Sequence, residues 1–471
     1  MSPICWSATL LGGVGSGTLG RAGHVTAAGH IEASNEHAPE LKETMRAIGS
    51  QATSVTRARR VTLARSGLIT ATFIAPAVIA RIVRLHLDPV AALLIFGAAV
   101  VSASFLLAWA AEAAHIDIAG GLAIAVLALV AVLPEYAVDL YYAYVSGHNA
   151  DYTQYAAANM TGSNRLLMGL GWPVVVLVSI VVARKTGTGK PTGLGLQSAN
   201  RVELGFLLIA GVVAFVIPAS GEIHLALGLA LLAWFGFYLY KIGHGDVEEP
   251  ELIGTAAALG DLSDRSRRTA VIALFVASGA VILLCAKPFA DNLVAAGTEL
   301  GIDRFLLVQW LAPLASEAPE FIVATIFASR GKGTSAIATL ISSKVNQWTL
   351  LVGSLPVAHV IGGGRFSLVL DSRQVEEMLL TATQTLMGVA LILGLRFQRA
   401  AAWALLGLFA VQFPLTSTQG RLVLCGVYTA VALVGLIVNR RHLVATLRAP
   451  FFGTAIRHSG HPHHSDAAEG A

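Results

Sequence analysis

The chain has 471 residues, of which 55% are hydrophobic and only 13% charged, and its net charge is +4. A soluble globular chain carries about 25% charged residues, so this composition excludes an ordinary soluble domain and places the protein in a membrane. The positive balance is no sign of nucleic-acid binding, because the basic residues fall between apolar runs. The three cysteines, Cys5, Cys285 and Cys425, show neither metal-ligand nor disulfide-framework spacing.

Residues 1–65 read as a disordered, basic cytoplasmic tail, rich in Gly, Ala and Ser and then carrying Arg57, Arg59, Arg60 and Arg65. The opening lacks the basic n-region of a cleavable signal peptide. Its Gly15-Ser-Gly17-Thr-Leu-Gly20 matches G-x-G-x-x-G, but no strand precedes it and no βαβ unit surrounds it, so it reads as a chance match.

A membrane helix needs about 20 mostly apolar residues. That rule finds runs near 66–84, 89–113, 119–145, 153–184, 201–218 and 222–241, which form an N-terminal transmembrane half over 66–241. A cytoplasmic loop at 242–268 leads to a C-terminal half over 269–438, with runs near 269–287, 304–329, 334–361, 377–396, 400–414 and 419–438. The last segment, 439–471, reads as a second cytoplasmic tail, disordered over 457–471, and its His458, His461, His463 and His464 as part of that tail rather than a metal site. With both termini in the cytoplasm, roughly 23 of the 32 basic residues fall on the inner side and about 7 outside, as the positive-inside rule requires. Arg165 and Lys344 are left inside spans.

Two of these spans share an unusual fragment. AVLPEYAVD (131–139) puts Pro134, Glu135 and Asp139 in the third span, and ASEAPEFIVAT (315–325) puts Ser316, Glu317, Pro319 and Glu320 in the eighth. Five spans apart is an odd offset, so the two segments cross the membrane in opposite directions, the mark of inverted-topology repeats. The following spans echo each other too: AANMTGSNRLLMGLG (157–171) and TLISSKVNQWTLLVG (339–353) align Asn164 with Asn346 when Gly171 is set against Gly353. The predicted fold is an all-α membrane protein with a five-plus-five helix core and an extra helix at each end. Its repeats span about 119–184 and 304–361.

Charge at bilayer depth costs about 2.5–3.5 kcal/mol or more per group, so several acids together need a purpose. Glu135 and Asp139 share one helical face, as do Glu317 and Glu320. Pro134, Pro313 and Pro319 are expected to kink or break their spans, freeing carbonyls beside these carboxylates. Carboxylate and carbonyl oxygens together suit Na+ or Ca2+. Asn159, Ser163, Asn164, Ser342, Ser343 and Asn346 would add neutral oxygens, although Ser342 and Ser343 serve equally well as packing hydroxyls. Gly162 and Gly171 most simply permit close helix approach.

LPEYAVD with NMTGSN, paired with APEFIVA and SSKVNQ, resembles the α-repeats of the Ca2+/cation antiporter superfamily, which includes sodium/calcium and proton/calcium exchangers. The resemblance covers the two helix pairs directly and the ten-span core by topology. It implies a multi-pass cation antiporter of the cell membrane that works by alternating access and has no cofactor beyond the transported cation and H+. Its partners would be inorganic cations and lipid. Carried over by match, Glu135 and Glu320 would be the central carboxylates and Asn159 an amide ligand, with Ser163 and Asn164 beside it. The family's Thr-Ser before Leu-Pro-Glu is replaced by Ala131-Val132 in the first repeat and by Ser316-Glu317 in the second. Opposite Asn159 stands Ile341, or Ser342 after a slip of one, and Arg165 and Lys344 add positive charge. These departures favour proton coupling over a strict three-sodium exchanger, since closely spaced carboxylates cannot all ionise cheaply. Two rivals are an intramembrane acid-pair enzyme, for which no H-E-x-x-H or G-x-S-x-G is present, and a transport-inactive sensor or scaffold closed by Arg165 or Lys344.

Overall fold

The computed structural model describes residues 38–114, 116–117, 133–187, 191–244, 252, 254–415 and 417–453, with side chains from Arg59 onward. The chain divides into two units, 1–60 and 61–471. Helix α1 (Ala38–Val83) begins inside the segment expected as a disordered tail, and its Arg59–Val83 part is long and apolar enough to span a membrane.

From there the chain is almost entirely helical. α2 (Pro89–Ala114) starts on a proline whose missing N–H costs nothing at a first turn, and Asp88 Oδ1 accepts from the N–H groups of Val90 and Ala91. α3 (Leu133–Ser146) carries the first Pro-Glu motif. Ala131, Val132 and the earlier part of the third expected span lie outside the described residues. α4 (Thr153–Leu166) runs through a five-residue π turn, Leu167–Gly171, into α5 (Trp172–Lys185). α6 (Asn200–Val213), the short α7 (Val216–Ser220) and α8 (Leu225–Gly243) complete the first half.

The second half repeats the plan. After α9 (Gly254–Gly260) and the long α10 (Asp264–Glu299) comes α11 (Arg304–Ser329), with the second motif. α12 (Gly333–Asn346) passes through a second five-residue π turn, Gln347–Leu351, into α13 (Val352–Ile361). α14 (Ser372–Ile392), α15 (Arg399–Val411), α16 (Thr418–Val438) and α17 (Arg440–Phe452) follow. Among the described residues nine helices are long and apolar enough to cross a membrane. The expected ninth span is too polar for that group although helical throughout, and the eleventh is short. Each π turn widens the helix one turn after the Asn/Ser-rich stretch, a distortion that recurs at functional sites.

Pro313 and Pro319 lie inside α11, which neither of them breaks. In the segment after 438, α17 is helical and packs on α6.

Four short strands tie the halves together. β1 (Gly193–Gly195) pairs antiparallel with β4 (Arg396–Gln398), and β2 (Glu222–His224) with β3 (Ser367–Val369). β1 follows the first repeat's helix pair and β3 the second's; each pairs with the later strand of the other half. This reciprocal exchange is what a pseudo-two-fold axis between inverted repeats produces. It also joins 193–195 to 396–398 and 222–224 to 367–369, the same loops that the span parity read from sequence groups together.

The packing brings the two repeats into each other's core. α4 lies along α11, α3 against α13, and α14 against both α4 and α16. Gly162 makes the first contact possible, because a Cβ there would overlap the Gln309 carbonyl of α11. Beside the site helices, Asp117 clamps Arg267 (2.7 and 2.8 Å) and Arg268 (2.9 Å). The Arg267 hydrogen bonds, helped by Arg268, hold the Asp117 carboxyl below its ordinary value, at about 2.

Candidate cation site

The two Pro-Glu motifs converge. Glu135 on α3 and Glu317 on α11 are both buried, at 6% and 3% exposure, where an unpaired charge is costly. Both accept from one donor, Gln347 Nε2, at 3.3 and 2.7 Å. Gln347 is the first residue of the second π turn, so the local helix distortion aims this amide between the two carboxyls. Glu320 stands one helical turn from Glu317 and accepts from Ser343 Oγ at 3.0 Å. Asp139, fully buried, accepts from Asn159 Nδ2 at 2.8 Å.

Several oxygens of this cluster are buried without a hydrogen-bond partner: Asp139 Oδ2, Asn159 Oδ1, Ser163 Oγ, Glu317 Oε2 and Gln347 Oε1. Burying such groups unsatisfied costs about 1–3 kcal/mol each. All five are atoms that ligate a hard cation, and an oxygen-only set from opposed helices is the donor chemistry of Ca2+ or Na+.

The remaining expected residues divide. Asn164 Oδ1 accepts from Lys344 Nζ at 2.9 Å, and its backbone carbonyl accepts from the same ammonium. Lys344 therefore bonds to an amide oxygen and a backbone carbonyl rather than directly to a carboxylate. Asn346 Oδ1 accepts from Tyr136 Oη at 3.0 Å, next to Glu135 in sequence. Ser316 turns back to the carbonyls of Ala312 and Pro313 on its own helix, and Ser342 bonds to Tyr238 on α8, so neither hydroxyl joins the carboxyl cluster.

Arg165 belongs to a second buried polar group. Its guanidinium pairs with Glu377 on α14, which also pairs with Arg421 at 2.6 Å and accepts from Gln309 Nε2 at 3.1 Å. Gln412 Oε1 accepts from Arg165 Nη1 at 3.0 Å, and the guanidinium lies 5.0 Å from the Trp310 ring centre. Sequence reasoning passed over Gln347 and Glu377. Gln347 stood inside the quoted SSKVNQ, and Glu377 is an acid in a predicted span, so both had a visible signal.

The fold and this cluster define an all-helical membrane transporter built from inverted repeats. Residues 88–242 and 270–415 match the family described as sodium/calcium exchanger protein. Among solved structures, the H+/Ca2+ exchanger CAX is 37% identical with a TM-score of 0.78, covering 84% of this chain and 98% of its own. YfkE, a Ca2+/H+ antiporter protein, shares the fold at 15% identity and a TM-score of 0.54, over 78% of this chain and 99% of its own. No curated protein matches the sequence. The protein belongs to the sodium/calcium exchanger family, within the Ca2+/cation antiporter superfamily. That is a family of transporters rather than enzymes.

Proposed function

We propose that this protein exchanges Ca2+ for H+ by alternating access, with Glu135, Glu317 and Glu320 as the carboxylates that hold the ion. The observation that carries the reading is the pairing of Glu135 and Glu317 on a single amide donor, surrounded by oxygens that lack partners. A divalent cation would satisfy those oxygens and neutralise two carboxylates together. When the ion leaves, close carboxyls in a buried site lower their energy by taking up protons, which couples cation release to proton binding. Asp139, Asn159 and Ser163 extend the oxygen set on the first repeat, and Asn164 and Asn346 frame it. The 37% identity to an H+/Ca2+ exchanger supports Ca2+ over Na+ and H+ over Na+ as counter-ion. The positive-inside count supports both termini in the cytoplasm, and extrusion across the cell membrane is the use that ion gradients would favour.

Reconstituted vesicles test this directly. Ca2+ uptake should follow an imposed proton gradient, and Glu135→Gln, Glu317→Gln and Glu320→Gln should each abolish it in protein that remains folded. Full exchange by Glu135→Gln would remove the carboxylate site from consideration.

A further inference from the structure

α17 (Arg440–Phe452) has no part in the carboxylate cluster, and its side chains sort into three faces at about 100° per residue. One face meets the protein. Thr446, Ala449 and Pro450 are buried, Thr446 Oγ1 accepts from Arg201 Nη1 at 3.1 Å, and the Thr446 carbonyl and Pro450 ring close over Gly205 of α6. The next face is apolar, with Val444 and Leu447 exposed by 55% and 38%, while Phe451, exposed by 50%, rests its other side on Trp234 and Phe237 of α8. The third carries Arg441 and Arg448, both exposed, with Arg440 opening the helix.

A helix with one side on protein, one apolar side uncovered and one basic side is shaped for the plane of a membrane interface. Its place in the fold agrees. Asn439, which joins α16 to α17, donates to the Ala390 carbonyl near the end of α14, two residues past which the chain turns toward β4. α17 therefore sits on the face of the β1–β4 pair. No acidic residue occurs between Glu377 and Asp466, so the arginines of this helix have no carboxylate neighbour in sequence.

We propose that α17 is an interfacial helix that binds anionic phospholipid, its apolar stripe in the acyl boundary and Arg440, Arg441 and Arg448 on the phosphates. Because Arg201 and Gly205 flank Glu203, the lipid contact bears on the part of α6 whose carboxylate accepts from Tyr238, the partner of Ser342 on site helix α12. The inference stands apart from the ion assignment, and its test does not need transport.

The test titrates phosphatidylglycerol or phosphatidylcholine into the purified full-length protein in detergent and follows thermal unfolding. Phosphatidylglycerol should raise the midpoint and phosphatidylcholine should not, with the effect screened by salt. Replacing Arg440, Arg441 and Arg448 with Gln should weaken the apparent affinity about five-fold per arginine, roughly a hundred-fold for all three, while Lys at the same positions retains it. Arg448→Gln alone, with its five-fold loss, serves if the triple variant does not fold. An unchanged phosphatidylglycerol response in the Gln variants overturns the proposal, as does an equal response to phosphatidylcholine or to inorganic phosphate.

Discussion

Lys344 is completely buried, and it spends its ammonium on the two oxygens of Asn164 and the face of Trp348, whose ring centre is 5.8 Å away. Asn164 is flanked by Ser163, whose hydroxyl oxygen has no partner in the carboxyl cluster, so the lysine ties up an amide oxygen at the edge of the proposed site while adding positive charge beside it. Both effects oppose a divalent cation. At an effective dielectric of about 20, a unit charge several ångströms from a divalent ion costs on the order of 4–8 kcal/mol. Lys344→Met is therefore expected to tighten apparent Ca2+ affinity by about tenfold or more, read from the Ca2+ dependence of uptake. An active variant with unchanged affinity would remove the lysine from the site's energetics.

At the scale of helices, small residues decide which elements touch. A methyl at Gly162 would strike the Gln309 carbonyl, and backbone cannot move aside as a side-chain tip can. Gly162→Ala should then push α4 from α11, lowering thermal stability by roughly 1–3 kcal/mol and reducing exchange because Gln309 also donates to Glu377. A wild-type melting temperature in that variant would show that the contact relaxes. The Asp117 tie behaves differently with pH. Its carboxyl titrates near 2 in the fold against an ordinary 3.8, so the stability it lends is complete above about 4 and fades only as pH falls through 2. Asp117→Asn should lower the melting temperature yet leave the pH profile of exchange unchanged, which separates this tie from the carboxylates proposed to carry protons.

How much of this was legible beforehand follows from the range of each signal. The repeated Pro-Glu motif and the apolar runs are local patterns, and they led to the inverted repeats, the parity of the spans and the convergence of Glu135 with the eighth span. The direct partnership of Glu135 was not legible, because Gln347 reaches Glu317 only through the π turn, and a π turn leaves no mark in hydrophobic periodicity. The same blindness covers Ser342, whose hydroxyl meets Tyr238 more than 100 positions away in sequence. The beginning of α1 and all of α17 were hidden by composition, since basic helical segments beside the apolar runs look like polar tail.

Across the whole molecule the pseudo-two-fold relation pairs Glu203 with Glu377. Glu203 follows Leu194, the middle of β1, by the same interval as Glu377 follows Leu368, the middle of β3; Glu377 pairs directly with Arg165 on α4 of the other repeat, whereas Glu203 reaches α12 only through Tyr238 and Ser342. Their partners differ. Glu203 accepts from Asn200 and Tyr238, both neutral, at 3.1 and 3.4 Å, whereas Glu377 holds the guanidiniums of Arg165 and Arg421. Removing charge from Glu377 leaves two cations with no carboxylate between them, one of them almost fully buried. Breaking a buried pair in this way costs about 3–5 kcal/mol, most of it the stranded charge rather than the lost attraction. Glu377→Gln should thus destabilise the protein by about that amount, while Glu203→Gln, which strands no ion, should cost less than about 1 kcal/mol, on the scale of one neutral hydrogen bond. The double variant Glu377→Met with Arg165→Met should recover part of the loss, because the buried guanidinium goes with its partner. Thermal unfolding of the variants in detergent reads all of this, and equal losses at Glu203 and Glu377 would mean that the arginines are solvated without their carboxylate.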